Sequence, residues 1–139
     1  MKAISHHSAL IYVMVIVSAA DGVMSDRELR TIGDMTKTLP IFRDFEEHYL
    51  LPIAQECAAM LCEPDSLDRV LQLIREALPS NLCETAYALA LEVALTDSRV
   101  MLEEVRVLEI LRHALAIDRL VAAALERGAR ARYQVSTGQ

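Results

Sequence analysis

Residues 17–28 read Val-Ser-Ala-Ala-Asp-Gly-Val-Met-Ser-Asp-Arg-Glu, and residues 93–104 read Val-Ala-Leu-Thr-Asp-Ser-Arg-Val-Met-Leu-Glu-Glu. The two segments align at an offset of 76 positions, which places Asp21 on Asp97 and Glu28 on Glu104. In each copy an apolar helical pattern ends at the aspartate, and an amphipathic helical pattern begins near the glutamate. The repeat therefore predicts two helical hairpins that pack with pseudo-two-fold symmetry and bury each other's apolar faces.

Local signals define the first hairpin closely. The segment 4–20 is apolar on most sides, which predicts a helix in the centre of the core. Gly22 suits the left-handed position that closes such a helix. Ser25 and Glu28 have the S-x-x-E spacing of a capping box, so a second helix is predicted to begin after Ser25. That helix should end just before Pro40, because the residue preceding a proline is pushed out of helical geometry.

The rest of the chain also reads as helices joined by short connections. The segment 42–61 is predicted to be helical with a break or kink at Pro52, and Asp65 or Ser66 to cap a helix that reaches residue 78. Further helices are predicted at 82–95, 101–116 and 119–130, the last capped by Asp118, with a frayed polar tail at 133–139. No segment alternates as a strand does. The sequence thus predicts one all-α domain, 1–139, of seven or eight helices, with repeat halves at 4–40 and 82–117.

Composition narrows the class of protein. The chain has 139 residues, of which 53% are hydrophobic and 24% charged, and this balance excludes intrinsic disorder. The net charge of -6 argues against a dedicated nucleic-acid-binding protein, whose affinity depends on neutralising phosphates. The three cysteines are an odd number and have no CxxC spacing, so we expect reduced, buried thiols and neither a zinc site nor a disulfide framework.

The apolar run 9–20 bears on the location of the protein. Its 12 residues are too few for a membrane span, which needs about 20. A signal peptide is the alternative, since Lys2 precedes the run and small residues end it. The basic region is a single lysine, however, and a cleaved leader has no reason to be duplicated within the mature domain. A cytoplasmic protein that does not cross the membrane is therefore expected.

The segment from Ser18 to Glu28 resembles the motif of the TerB-like (tellurite-resistance) family. In that motif an alanine-rich helix runs into Asp-Gly, an apolar residue, a small polar cap and a glutamate. The second copy, 95–104, is similar to the weaker second motif of the family, and 115–118 is similar to the lead into its final helix. The likeness spans about residues 9–125. It departs from the pattern at Ser98, in place of a glycine, and at Met101, in place of a polar cap.

The resemblance implies an all-helical fold and a link to tellurite resistance or to a wider metal and oxidative stress response. It also implies that the acidic motif residues hold a metal cation. The residue types fit that idea, because carboxylate oxygens are the ligands that Ca²⁺ and Mg²⁺ prefer. If the two hairpins pack as a symmetric pair, four carboxylates meet at one end of the bundle: Asp21, Glu28, Asp97 and Glu104. No organic cofactor is expected.

A purely structural interpretation competes with the metal site. Asp21-Gly22 is ordinary turn chemistry, and the capping box already explains Glu28. The second copy has no hydroxyl cap, so Glu104 lacks this explanation. Neither copy has the D-x-[DN]-x-[DN]-G spacing of an EF-hand, which excludes that kind of calcium site.

The sequence contains no pattern typical of an enzyme. It has no G-x-S-x-G, no phosphate-binding glycine loop and no recognisable signature around a cysteine, so a non-catalytic protein is expected. The alternative function is a protein–protein interaction or scaffold module, either homodimeric or bound to another protein. Its predicted surface is the last helix, around 120–125. The competing interpretation is that this helix covers the core of its own chain.

Overall fold

A computed structural model describes residues 3–20, 22, 24–96 and 102–136. Two short 3₁₀ turns, Pro40–Phe42 and Glu47–Tyr49, precede the third α-helix. Within the described residues there are seven α-helices and no strand: α1 (His6–Ser18), α2 (Asp26–Thr38), α3 (Leu50–Leu61), α4 (Leu67–Ala77), α5 (Ser80–Ala94), α6 (Leu102–Ala114) and α7 (Arg119–Arg132). The predicted all-helical class is confirmed.

The helices of the two repeats match in their bounds and in their packing. Ser18 and Ala94, the last residues of α1 and α5, lie 76 positions apart, and α2 and α6 begin and end at the same offset. The first helix of each hairpin contacts both helices of the other hairpin, since α1 packs on α5 and α6 while α5 packs on α1 and α2. The two hairpins therefore share one core.

Helix α1 is the centre of that core, as its sequence predicts. Every side chain from Ala9 to Val17 is at most 4% exposed. A helix without a polar face must be covered on all sides, and α1 is packed most extensively by α5, α3 and α4. None of the described helices combines the length and the apolar character that crossing a bilayer requires.

Most of the predicted start and stop signals are present in the structure. The predicted cap of α4 is wrong, because Ser66 holds the N-cap position without a side-chain hydrogen bond to the helix. The backbone N–H of Glu28 donates to Ser25 Oγ, and Glu28 Oε1 accepts from the Ser25 N–H, which completes the capping box. Gly22 has a φ of 91°, a left-handed conformation that suits a glycine. Asp118 accepts from the backbone N–H groups of Leu120 and Val121 and so caps α7.

The prediction for residues 42–61 is wrong in its position of the break. Pro52 is the third residue of α3 and so lies within its first turn. The backbone N–H groups of a first turn have no acceptor within the helix, so a proline, which lacks an N–H, is tolerated there. The interruption lies earlier, at residues 43–46 between the two 3₁₀ turns. Phe42 and Phe45 stack edge to face there, with ring centroids 5.6 Å apart, and Phe42 is buried in the core. The two rings therefore pack against each other across the break.

Helix α6 ends in a Schellman motif with an unusual residue. The N–H of Ile117 donates to the carbonyl of Arg112, and the N–H of Ala116 donates to that of His113. Ala116 takes the left-handed position of this motif with a φ of 54°. Glycine is the usual residue there, because a Cβ costs free energy in that conformation. The buried side chains of Leu111 and Ile117 hold the turn in place.

Candidate functional site

The structure describes two of the four predicted cation ligands. Glu28 and Glu104 are each the third residue of their helix, α2 and α6 respectively. Their exposed fractions are 2% and 4%. Asp21 and Asp97 lie outside the described residues. The repeat therefore places one buried carboxylate at the same point of each hairpin.

Helix capping accounts for the position of Glu28, and both glutamates lie in the first turn of a helix. A carboxylate in the first turn of a helix is favoured by the positive end of the helix dipole. The Ser25 N–H lies 2.9 Å from Glu28 Oε1, so this carboxylate also serves the capping box. A capping glutamate can do this while it remains in water, and burial of a carboxylate carries a desolvation cost. Burial of this carboxylate is thus a feature common to both hairpins and additional to helix capping.

Ala20 and Thr96, which precede the two turns, each approach the other hairpin. Thr96, which follows α5, donates from its hydroxyl to Thr31 Oγ1 in α2 at 2.9 Å. Ala20, which follows α1, lines the same cleft as Val107 in α6. Positions 20 and 96 are equivalent in the repeat, and so are positions 31 and 107. Each turn thus approaches the second helix of the other hairpin, about one helical turn beyond the buried glutamate.

The described residues do not form a ready metal centre by themselves. Within the ranges given above, no group of three or more histidine, cysteine, aspartate or glutamate side chains is suitably placed to hold a metal ion. The histidines take other roles. His7 Nε2 lies 2.7 Å from the carbonyl oxygen of Ile41, and His48 is largely exposed. A cation site in this protein would therefore depend on Asp21 and Asp97.

A buried carboxylate that the sequence did not reveal lies on α5. Glu92 is 7% exposed and forms an ion pair with Arg132 at the end of α7. The hydroxyl of Tyr133 donates to Glu92 Oε2 at 2.5 Å. The prediction that the frayed tail begins at Tyr133 is wrong for this residue, because its hydroxyl is bonded to a buried carboxylate. The signal in the sequence was an acid in the apolar second half of the helix, flanked by Leu91 and Val93.

Two more tyrosine–carboxylate contacts join helices. Tyr12 in α1 donates to Glu56 in α3, and Tyr87 in α5 donates to Glu126 in α7 at 2.7 Å. Burial of the rings, together with these hydrogen bonds, raises the pKa of both phenols above the usual value of 10. Both hydroxyls therefore remain protonated donors to a higher pH than an exposed tyrosine.

The cysteines differ in their environments. Cys57 is fully buried, and desolvation raises the pKa of its thiol to about 12. Burial also raises the pKa of the partly exposed Cys83. The prediction of three buried thiols is therefore confirmed for Cys57 only. Cys83 is partly exposed, and Cys62, just beyond the end of α3, is exposed.

Compared with protein-family models, with curated proteins and with solved structures, the chain matches none. The likeness to the TerB-like family therefore rests on the motif residues quoted above. The fold rests on the coordinates.

Proposed function

We propose that this chain is a non-catalytic, TerB-like helical module that binds a divalent cation, Ca²⁺ or Mg²⁺, at its hairpin turns. The observation that carries the proposal is the matched burial of Glu28 and Glu104 at equivalent positions of the two repeats. Each glutamate follows the aspartate of its repeat, Asp21 or Asp97, by seven positions. Carboxylate oxygens are the ligands that Ca²⁺ and Mg²⁺ prefer, so acidic residues that recur at both hairpin turns suit a hard cation.

The approach of each hairpin to the other suggests how the two repeats share the ligands of the proposed cation. Asp97 follows Thr96 in the chain, and Thr96 contacts the helix that carries Glu28. Asp21 follows Ala20, which lines a cleft with the helix that carries Glu104. We propose that carboxylates of both repeats hold the cation together, with Asp97 next to Glu28 and Asp21 next to Glu104. Binding would then fasten the two hairpins to each other.

Thermal unfolding with and without cations tests the proposal. A cation at about 100 times its dissociation constant adds about 2.7 kcal/mol to the free energy of unfolding, so Ca²⁺ or Mg²⁺ should raise Tm. Glu28→Gln is an informative variant, because glutamine still completes a capping box but lacks the charge. Glu104→Gln is the second informative variant. Glu103→Gln is its control, because Glu103 is an exposed neighbour in the same helical turn.

The expected result is that Glu28→Gln and Glu104→Gln each reduce the cation-dependent rise in Tm, whereas Glu103→Gln leaves it intact. Combining Glu28→Gln with Asp97→Asn should add little, because both belong to one proposed site. The proposal fails if neither cation shifts Tm at millimolar concentration. It also fails if the shift persists in both buried-glutamate variants.

The resemblance to the TerB-like motif suggests a biological role for this protein. We propose a cytoplasmic role linked to tellurite resistance or to metal and oxidative stress. Deletion of the gene should then lower the tolerated concentration of tellurite or of a metal salt, and the Glu28→Gln, Glu104→Gln double variant should fail to restore it. Full tolerance in the deletion strain would contradict this role.

A protein interaction module is the second candidate, and one surface favours it. Leu29 of α2 and Leu51 of α3 are 41% and 59% exposed, and both line a shallow groove between these helices. Exposed apolar side chains around a groove are typical of contact surfaces. Self-association would appear as a concentration-dependent mass in sedimentation, reduced by Leu51→Glu. A constant monomer mass at high concentration would contradict self-association.

A further inference from the structure

The repeat provides an internal comparison between two clefts. Leu29 and Ile32 of α2 line a cleft in the first hairpin, and their repeat equivalents Val105 and Leu108 of α6 line one in the second. In the first hairpin, α3 covers the cleft with Leu50, Leu51 and Ala54, which leaves about 210 Å³. In the second, α7 covers it with Glu126 and Arg130, which leaves about 410 Å³. Equivalent positions thus border a small, mainly apolar cleft, in which Glu47 is the one charged lining residue, and a larger cleft that two arginines and two glutamates line.

The larger cleft has an apolar floor and a polar rim. Leu91 and Ala94 of α5 are almost fully buried and form part of the floor, together with Leu108. Tyr87 is 2% exposed, and Glu126 Oε2 accepts its hydroxyl proton at 2.7 Å. A cleft of a few hundred Å³ with an apolar body and a few polar groups is the usual form of a small-molecule site.

The rim offers two guanidinium groups. Arg112 and Arg130 both line the cleft, and among the described residues neither forms an ion pair with a carboxylate. Arg112 contacts the ring of His113, its neighbour in α6, at 3.0 Å. Of the two acids at the rim, Glu126 accepts from Tyr87, and Glu109 is exposed to solvent. Guanidinium groups bind carboxylates through paired, charge-assisted hydrogen bonds.

We propose that the cleft between α5, α6 and α7 binds a small amphipathic carboxylate, such as a medium-chain fatty acid. Its carboxylate contacts Arg112 and Arg130, and its alkyl chain lies on Leu91, Ala94 and Leu108. This site is separate from the carboxylates of the hairpin turns and does not depend on a cation.

Three probes with the same chain and different head groups test the chemistry. Octanoate, octylammonium and octan-1-ol are titrated separately into the protein by calorimetry, and two-dimensional NMR locates the contact. Octanoate should bind with a one-to-one stoichiometry and shift the signals of Leu91, Leu95 and Leu108. The neutral and cationic probes should bind about ten-fold more weakly, because they lose the charge-assisted hydrogen bonds. Equal binding of all three probes, or no binding of octanoate, overturns the proposal.

Variants with matched controls complete the experiment. Arg112→Gln with Arg130→Gln should weaken octanoate binding about ten-fold or more, whereas Arg127→Gln, an exposed residue of α7 outside the cleft, should leave it unchanged. Val105→Phe should block the cleft, and Leu29→Phe, its equivalent in the first hairpin, should not. If Val105→Phe does not fold, the arginine variants and the NMR shifts still decide the matter. Unchanged affinity in the double arginine variant overturns the proposal.

Discussion

Tyr133→Phe tests whether the end of the chain holds a buried charge in place. The substitution removes one hydroxyl, which donates to Glu92 Oε2 at 2.5 Å. The ring of Tyr133 is 37% exposed, whereas Glu92 is 7% exposed. The loss therefore falls mainly on Glu92 Oε2, which has little access to water as a substitute partner, while the other carboxylate oxygen keeps its ion pair with Arg132.

The expected cost follows from the type of bond. A hydrogen bond to a charged group contributes about 1.5–3 kcal/mol to stability, and a buried acceptor left without a donor accounts for much of that value. For a domain of this size each kcal/mol corresponds to roughly 3–5 °C in Tm. Tyr133→Phe should therefore lower Tm by about 5–15 °C.

Urea denaturation followed by circular dichroism measures the free energy of unfolding, and the slope m should not change. Tyr49→Phe is the control, because Tyr49 is 52% exposed and should lose less than about 0.5 kcal/mol. In a Glu92→Leu background the cost of Tyr133→Phe should disappear, since the buried charge is gone. A cost below about 0.5 kcal/mol in the wild-type background would refute the reasoning. So would an equal cost in both backgrounds.

Three further predictions concern strain and titration. Ala116→Gly should raise the free energy of unfolding by about 1 kcal/mol in urea, because glycine relieves the left-handed conformation at a φ of 54°; a loss of stability would contradict this. Stability should fall as pH rises above 10, by about 1.4 kcal/mol per pH unit for each of Tyr12 and Tyr87. The reason is that the unfolded chain releases these protons while the native state keeps them. Tyr12→Phe should therefore make the free energy of unfolding fall less steeply with pH, and an unchanged slope would contradict this prediction. With a thiol reagent at pH 8, Cys62 should react first and Cys57 only on unfolding, as mass spectrometry of the labelled protein would show; rapid labelling of Cys57 in the native protein would be inconsistent with its burial.

The sequence determined the features that depend on near neighbours in the chain. The capping box of Ser25 and Glu28, the cap at Asp118 and the end of α2 before Pro40 all appear where they were predicted. Each involves groups no more than four residues apart, so its physics is complete within a short segment. The central position of α1 was also predictable, because a helix without a polar face can only be covered on all sides.

The tertiary structure decided the features that depend on distant parts of the chain. Burial of Glu92 by Tyr133 joins positions 41 residues apart, and the contact of Thr96 with Thr31 joins positions 65 apart. The local sequence around an acid in an apolar helix does not identify its partner, because the partner comes from a segment that packs alongside in the fold. Cys62 is likewise exposed because α3 ends just before it.

The repeat of residues 17–28 and 93–104 separates local from tertiary determinants in the same way. The sequence by itself determined that Glu28 and Glu104 occupy equivalent places, because the alignment needs only chain positions. Only the tertiary structure decided that both are buried, and that each hairpin turn approaches the second helix of the other repeat. A residue is buried when other helices pack over it and exclude water. Those helices come from distant parts of the chain, so the local sequence does not reveal the burial.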